Sequence, residues 1–240
     1  SKILKITKKN NIKLIEDCSH AHGASYENKK IGFFGDISCF SLQGNKAIAA
    51  GEGGISVTDN YEYFIRMSIF GHFNRHEIDI SKNEKLKMYS KTGISKKLRA
   101  HPLAISLAKV DFQNIERINS YKNAVYEKID KILESDKFLK TIQINENSTR
   151  GGFFGGYPII INNEKNITKI LEIFDNFNLK LTKYPWLQHH KMRIYSSDNI
   201  ELKITEKLSE KLFLLNIPYL LNFKYKNLEL CLKKISNELH

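Results

Sequence analysis

Residues 14–54 gather side chains suited to acid–base, nucleophilic or metal chemistry. Asp17 closes a short, mostly apolar run over residues 12–15 that stops at Glu16 and Asp17. Such a run reads as a buried parallel strand, and open α/β sheets bind ligands at the carboxyl ends of their strands. The same carboxylate could instead cap the turn that follows. Ser41 lies near the end of a second apolar run, over residues 37–42, Gln43 and Lys46 follow it, and Gly51, Glu52, Gly53 and Gly54 close the stretch. A lysine reacts as an amine only when partly desolvated, whereas most lysines are solvated surface residues. Ser41 could equally be no more than the end of its strand. Cys18, His20 and His22 stand at alternate positions, which share one side of a strand, and Cys39 could complete a zinc set. That spacing matches no familiar zinc module, so no metal is expected. His189 and His190 carry no interpretable pattern by themselves.

The elements that must position these residues follow from periodicity and punctuation. Residues 1–11 resemble the end of an amphipathic helix. Residues 54–58 read as a strand after the glycines, and residues 61–70 as a helix after Asp59 and Asn60. Residues 71–95 are polar and long for a plain connection, as functional loops are. From His101 to about Leu133, apolar residues recur at helical spacing, and Pro102 suits a first turn. That helix would run roughly 45–50 Å at about 1.5 Å per residue, leaving one domain to support the next. Residues 135–156 read as a linker. Residues 157–161, 179–184 and 217–221 read as strands, and residues 167–177, 205–215 and 226–239 as helices.

Composition sets limits. The chain has 240 residues, enough for one large domain or two smaller ones. It contains no apolar run long enough to span a membrane and no signal-peptide core at its start. Three scattered cysteines, Cys18, Cys39 and Cys231, exclude a disulfide framework and point to a reducing cytoplasm. The net charge of +12 comes from lysines spread along the whole chain without a nucleic-acid motif, so nucleic-acid binding is a minor rival. Some of that charge could attract an anionic substrate.

Three motifs in register carry a resemblance: residues 16–24 (EDCSHAHGA), residues 35–46 (GDISCFSLQGNK) and residues 51–54 (GEGG). In this order and spacing the chain resembles the DegT/DnrJ/EryC1/StrS sugar aminotransferases, and the likeness extends more loosely through residues 99–103 and the long helix. It implies an α/β fold. That fold is an aspartate-aminotransferase-like (fold type I) large-domain remnant with a mostly parallel sheet, plus a small C-terminal α+β domain. The expected boundaries are 1–100 for the cofactor domain, 101–134 for the interdomain helix and 135–240 for the small domain.

The resemblance also implies pyridoxal 5'-phosphate as cofactor and Lys46 as the catalytic residue, joined to it as an aldimine. Asp17 would face the ring nitrogen, keeping it protonated so that the ring draws electrons from the substrate carbanion. Ser41 would donate to the phosphate, and His20 and Gln43 would contact the cofactor. Lys97 stands where relatives often carry Asn, on a loop that reaches a neighbouring subunit's site, and could meet the phosphate as a point charge. An exposed lysine in a basic loop is the other account of Lys97. Related dehydratases carry His in place of the lysine, and Lys46 argues against that outcome.

The implied activity is amino transfer from glutamate or glutamine to a keto sugar, nucleotide-linked or otherwise, or to a related cyclic ketone, in amino-sugar and polysaccharide biosynthesis. A homodimer with shared active sites is implied, with neither nucleic acid nor membrane as partner. The segment that gives family members their first sheet strands and a phosphate loop has no counterpart upstream of Asp17 here. The isolated chain is therefore expected to bind the cofactor poorly and to need that segment, fused or in trans. The alternative is a catalytically incompetent fragment acting at most as a binding or interaction subunit.

Overall fold

The computed structural model describes residues 2–72, 77–94, 97–151, 156–184, 188–195, 200–217 and 224–239. They fall into two units, one of residues 1–120 and 146–154, the other of residues 121–145 and 155–240.

In the first unit, helix α1 (Lys2–Lys9) precedes strand β1 (Ile15–Asp17). β1 pairs in parallel with β4 (Ile37–Ser41), and β4 pairs antiparallel with β5 (Gly54–Val57), in the order β1-β4-β5. Between β1 and β4, β2 (Ser25–Tyr26) and β3 (Lys29–Lys30) form a hairpin, and β2 also pairs with β7 (Ser148–Thr149). Glu27 and Asn28 at its turn both take left-handed φ, 48° and 62°, as a tight hairpin turn requires.

The mostly parallel sheet expected from the sequence is corrected: among the described residues only β1 and β4 run parallel. A parallel neighbour needs a crossover connection. Residues 42–53 fold straight back instead, so β5 returns antiparallel. The expected buried strand over residues 12–15 also shifts. The Asp36 carboxylate accepts from Leu14 N at 2.8 Å, and the Asp36 amide donates to Leu14 O at 2.8 Å. Leu14 is thereby occupied, and β1 begins at Ile15, on an edge where Ile12 and Ile15 stay 54% and 66% exposed.

Helix α2 (Tyr61–Gly71) is capped by Asn60, whose side chain accepts from Tyr63 N at 3.0 Å. Residues 71–95 hold more structure than a loop: α3 (Glu77–Ser81) and a 3-10 turn at Lys87–Tyr89, with Ile80 and Leu86 packed on Ile65 and Ile69 of α2. Helix α4 (Pro102–Leu133) starts at the expected proline.

In the second unit, β6 (Leu139–Thr141), β8 (Tyr157–Ile161), β9 (Leu181–Lys183) and β10 (Leu212–Leu215) form an antiparallel sheet in the order β6-β8-β10-β9. Helices α5 (Ile167–Asn176), α6 (Lys203–Lys211) and α7 (Tyr225–Leu239) complete it. Ile159, Ile161, Ile170, Phe174, Leu215, Leu228 and Ile235 are all fully buried. The helix expected over 205–215 ends at Lys211, because four consecutive apolar residues, 212–215, bury better in a central strand than on one helix face. The linker read over 135–156 contains β6 and β7. Of the strand expected at 217–221, residues 218–221 lie outside the described residues. Among the described residues no helix is long and apolar enough to cross a membrane.

Candidate active site at the ends of β1 and β4

The parallel register sets Asp17 level with Cys39, and Cys18 N donates to Cys39 O at 2.8 Å. The two strands therefore end together, with Asp17 closing β1 and Ser41 closing β4. Adjacent carboxylates divide the work. Glu16 turns toward the following loop, where it accepts from Gly32 N, Phe34 N, Gly35 N and Ser38 Oγ at 3.2, 2.7, 2.7 and 3.1 Å. Burial pushes its pKa up, but the Gly35, Phe34, Gly32 and Ser38 donors together hold it below the ordinary value. Stranding such donors costs about 1–3 kcal/mol each where they are buried. Asp17 is left exposed at the strand end.

Lys46 rides a turn whose shape is specified by its own backbone. Leu42 N donates to Gly53 O, Gly44 N to Gly51 O and Ala50 N to Leu42 O, at 2.9, 2.7 and 2.7 Å, and Lys46 N closes onto Gln43 O at 2.8 Å. Gly51 has φ +81°, with open space where a Cβ would stand, so glycine is required there by conformation and not by crowding. Gln43 Oε1 accepts from Asn45 N at 3.0 Å, and Ser41 Oγ accepts from Gln43 N at 3.3 Å. The Ser41 hydroxyl proton is not used in that bond and can be donated. Leu42, Ile48 and Ala50 anchor the turn against Ala108 and Ile115 of α4.

Lys46 Nζ lies 2.7 Å from His20 Nε2. Burial first, then the Lys46 charge, lowers the His20 pKa, against an opposing pull from Asp17. A neutral imidazole nitrogen can accept from the ammonium. The Ser19 hydroxyl and the Ser19 amide, the latter at 3.0 Å, lower the Asp17 pKa, with burial opposing and the His20 and Lys46 charges assisting. An anionic carboxylate, an amine and a neutral imidazole thus share electrostatic contact where two strands end. The Cys18 thiol is pushed up to about 11, first by burial and then by Glu16, Asp17 and Cys39, so it stays protonated at neutral pH. Among the described residues no cluster of three or more His, Cys, Asp or Glu is placed to hold a metal.

His22, singled out in the sequence only for its spacing to Cys18, is 2% exposed, and its Nε2 donates to Ser41 O at 2.9 Å. Burial above all lowers its pKa from 6.5; the Ser41 carbonyl opposes, and the Lys46 and His20 charges add to the lowering. As pH falls below 6.5, the unfolded chain takes up the His22 proton before the folded one does. Its stabilising contribution is therefore complete above that pH and is lost as pH falls toward the lower folded value. Stability against urea should fall between pH 7 and 5, by at most about 1.4 kcal/mol per pH unit per such group. His22→Gln should flatten that dependence, and an unchanged slope would remove His22 as its source.

Lys97 is exposed and belongs to the segment before α4, which Leu98 N ties to Gly71 O at 2.7 Å. His190 lies in the second unit, where its Nε2 is 3.0 Å from Glu206 Oε1, and Lys191 meets Glu206 Oε2 at 2.6 Å. Lys191 first and His190 second pull Glu206 down to about 2, which marks an ion-pair cluster fixing that loop to α6.

The profile of the DegT/DnrJ/EryC1/StrS aminotransferase family matches residues 1–228. GDP-perosamine synthase from Escherichia coli O157:H7 is 47% identical over 64 residues, which are 27% of this chain and 18% of that protein. L-glutamine:scyllo-inosose aminotransferase from Streptomyces griseus is 42% identical over 64 residues, 27% of this chain and 15% of that protein. An aminotransferase structure from Psychrobacter cryohalolentis superposes with a TM-score of 0.78 at 17% identity, covering 99% of this chain and 65% of that one. Helicobacter pylori PseC, an aminotransferase involved in pseudoaminic acid biosynthesis, gives 0.74 at 20% identity, covering 97% and 62%. The chain thus spans less than two thirds of the solved chains it matches, and its fold corresponds to part of the fold-type-I aminotransferase architecture.

Proposed function

Because the chain belongs to the DegT/DnrJ/EryC1/StrS aminotransferase family, we propose that it transfers an amino group from glutamine or glutamate to a keto sugar or related cyclic ketone, with Lys46 as the catalytic residue. The observation that carries this reading is the 2.7 Å contact of Lys46 Nζ with a neutral His20, beside the anionic Asp17. The donor set suits pyridoxal 5'-phosphate: a carboxylate for the ring nitrogen, an amine for the aldehyde carbon and a free hydroxyl proton for the phosphate. When bound, that cofactor supplies an electron sink for the bond broken at the donor's α-carbon.

The chain's own residues do the rest. Asp17 holds a proton on the ring nitrogen. Ser41 donates to the phosphate, with Lys97 as a further positive charge. His20 and Gln43 would orient the ring. Lys46 takes the proton from the donor's α-carbon as a base and returns it as an acid. His20, kept neutral, accepts from Lys46 and aims its Nζ. The names of the relatives, a scyllo-inosose aminotransferase and a GDP-perosamine synthase, support cyclic ketones and nucleotide-linked sugars as the substrate class.

A second reading, an interaction unit without turnover, is favoured by the exposed β1 edge at Ile15 and by Leu103, Leu107 and Phe112 of α4, which are 71%, 64% and 66% exposed. The two readings separate in an amino-transfer assay with pyridoxal phosphate, glutamine and a panel of nucleotide-linked keto sugars and inososes. The chain is assayed alone and with the N-terminal third of a family member, fused or in trans. Product in either arm supports the enzyme, and none in both favours the interaction unit.

A further inference from the structure

One stripe of α4 faces both loops of the site. Ala104, Ala108, Asp111, Ile115 and Asn119 recur at three- and four-residue steps and so share a helix face. Its apolar members pack with Leu42, Ala47, Ile48 and Ala50. Its two polar members each make one directed bond. Asp111 Oδ2 accepts from Ala49 N at 3.0 Å, on the turn that carries Lys46. The buried Asn119 donates through Nδ2 to His22 O at 2.9 Å, on the loop that carries His20. His22 in turn donates to Ser41 O at 2.9 Å. Gly23, at φ +75°, permits this approach, because a side chain there would collide with Asn119.

We propose that Asp111 and Asn119 are positioning residues that set Lys46 against His20 by pinning, from one helix face, the two loops that carry them. The inference rests on the role proposed for Lys46. Apolar packing is non-directional and would let either loop slide along the stripe. A hydrogen bond weakens steeply with misalignment and fixes register. The Lys46–His20 contact has its two ends on two different loops, and each loop has its own polar pin. A buried polar group on a helix face is a cost unless bonded. Alanine or leucine at 111 and 119 would serve packing alone.

The test needs no cofactor. In trace acetylation of the chain, Lys46 is scored against Lys203, an exposed lysine of the other unit. Asp111→Leu should raise the relative labelling of Lys46 by about three- to tenfold, the range one directed hydrogen bond controls. Asp111→Asn, whose amide oxygen still accepts from Ala49 N, should restore the wild-type ratio, which a purely electrostatic role would not, while the bulk kept in Asp111→Leu sets aside a role in packing alone. Asn119→Leu should shift the ratio as Asp111→Leu does. Should the leucine variants unfold, raising all lysines alike, the Asp111→Asn ratio and amide exchange of Ala49 in the unmodified chain decide. Exchange there at the rate of an unstructured peptide, a wild-type ratio in folded Asp111→Leu, or a raised ratio in Asp111→Asn would overturn the proposal. Intact coupling in a chain whose Lys46 takes no cofactor would sink the proposed function and leave the pins standing.

Discussion

In Lys46→Ala, amino transfer from glutamine should fall by at least about 10²- to 10⁴-fold, the contribution of a positioned proton-transfer group. Lys46→Arg should fall as far, since a guanidinium does not give up its proton near neutral pH. The variant should keep its fold: the turn is specified by the Leu42, Gly44 and Ala50 backbone bonds and by burial of Ile48, none of which uses the Lys46 side chain. Measurement of kcat beside an unfolding curve separates the two effects. Turnover in Lys46→Ala within a few-fold of wild type, or a loss that follows global unfolding, would remove Lys46 from the chemistry.

Asp17→Ala should lower amino transfer by about 10²- to 10³-fold, the usual effect of deleting one preorganised charge partner. Some cofactor should remain bound, because the contacts proposed for Ser41 and Lys46 would be kept. Asp17→Asn should resemble Asp17→Ala, because a neutral amide cannot keep a ring nitrogen protonated. The structural cost should be small: among the described residues Asp17 accepts only from its near neighbour Ser19, whereas Glu16 holds the loop over residues 32–35. Full activity in Asp17→Ala with normal cofactor content would contradict the assignment.

The parts legible in the sequence were those with long or strict periodicity. α4 announced itself through apolar residues recurring over many turns and through Pro102. Short apolar runs misled, because they lack a period. Residues 12–15 looked buried, yet Asp36 takes up the Leu14 backbone and leaves Ile15 on an exposed edge. Residues 212–215 looked like the end of a helix and form a central strand. The sheet's direction was hidden for a related reason: parallel or antiparallel pairing depends on whether a connection crosses over or folds back, and apolar content does not record that.

Within the site, the resemblance carried by the motifs implied Asp17, His20, Ser41, Gln43, Lys46 and Lys97, and the structure puts Asp17, His20 and Lys46 in electrostatic contact. The structural role of Glu16, which holds the loop over residues 32–35, left no mark of its own beside Asp17, since adjacent side chains differ only in which way they leave the strand. Asp111 and Asn119 were invisible because their partners lie 62 and 97 residues away in the chain. His22 stood out only by its alternation with Cys18 and His20, because its partner is a backbone carbonyl, which leaves no mark on residue type.

Borohydride reduction of the chain with excess pyridoxal phosphate, followed by peptide mapping, tests the central claim most directly. It reads selectivity among lysines and so stays informative when affinity is low. The account predicts that the reduced cofactor is concentrated on Lys46, well above every other lysine, and that Asp17→Ala diminishes the labelling without redistributing it. Label scattered over the surface lysines, with Lys46 no richer than Lys203, would contradict it.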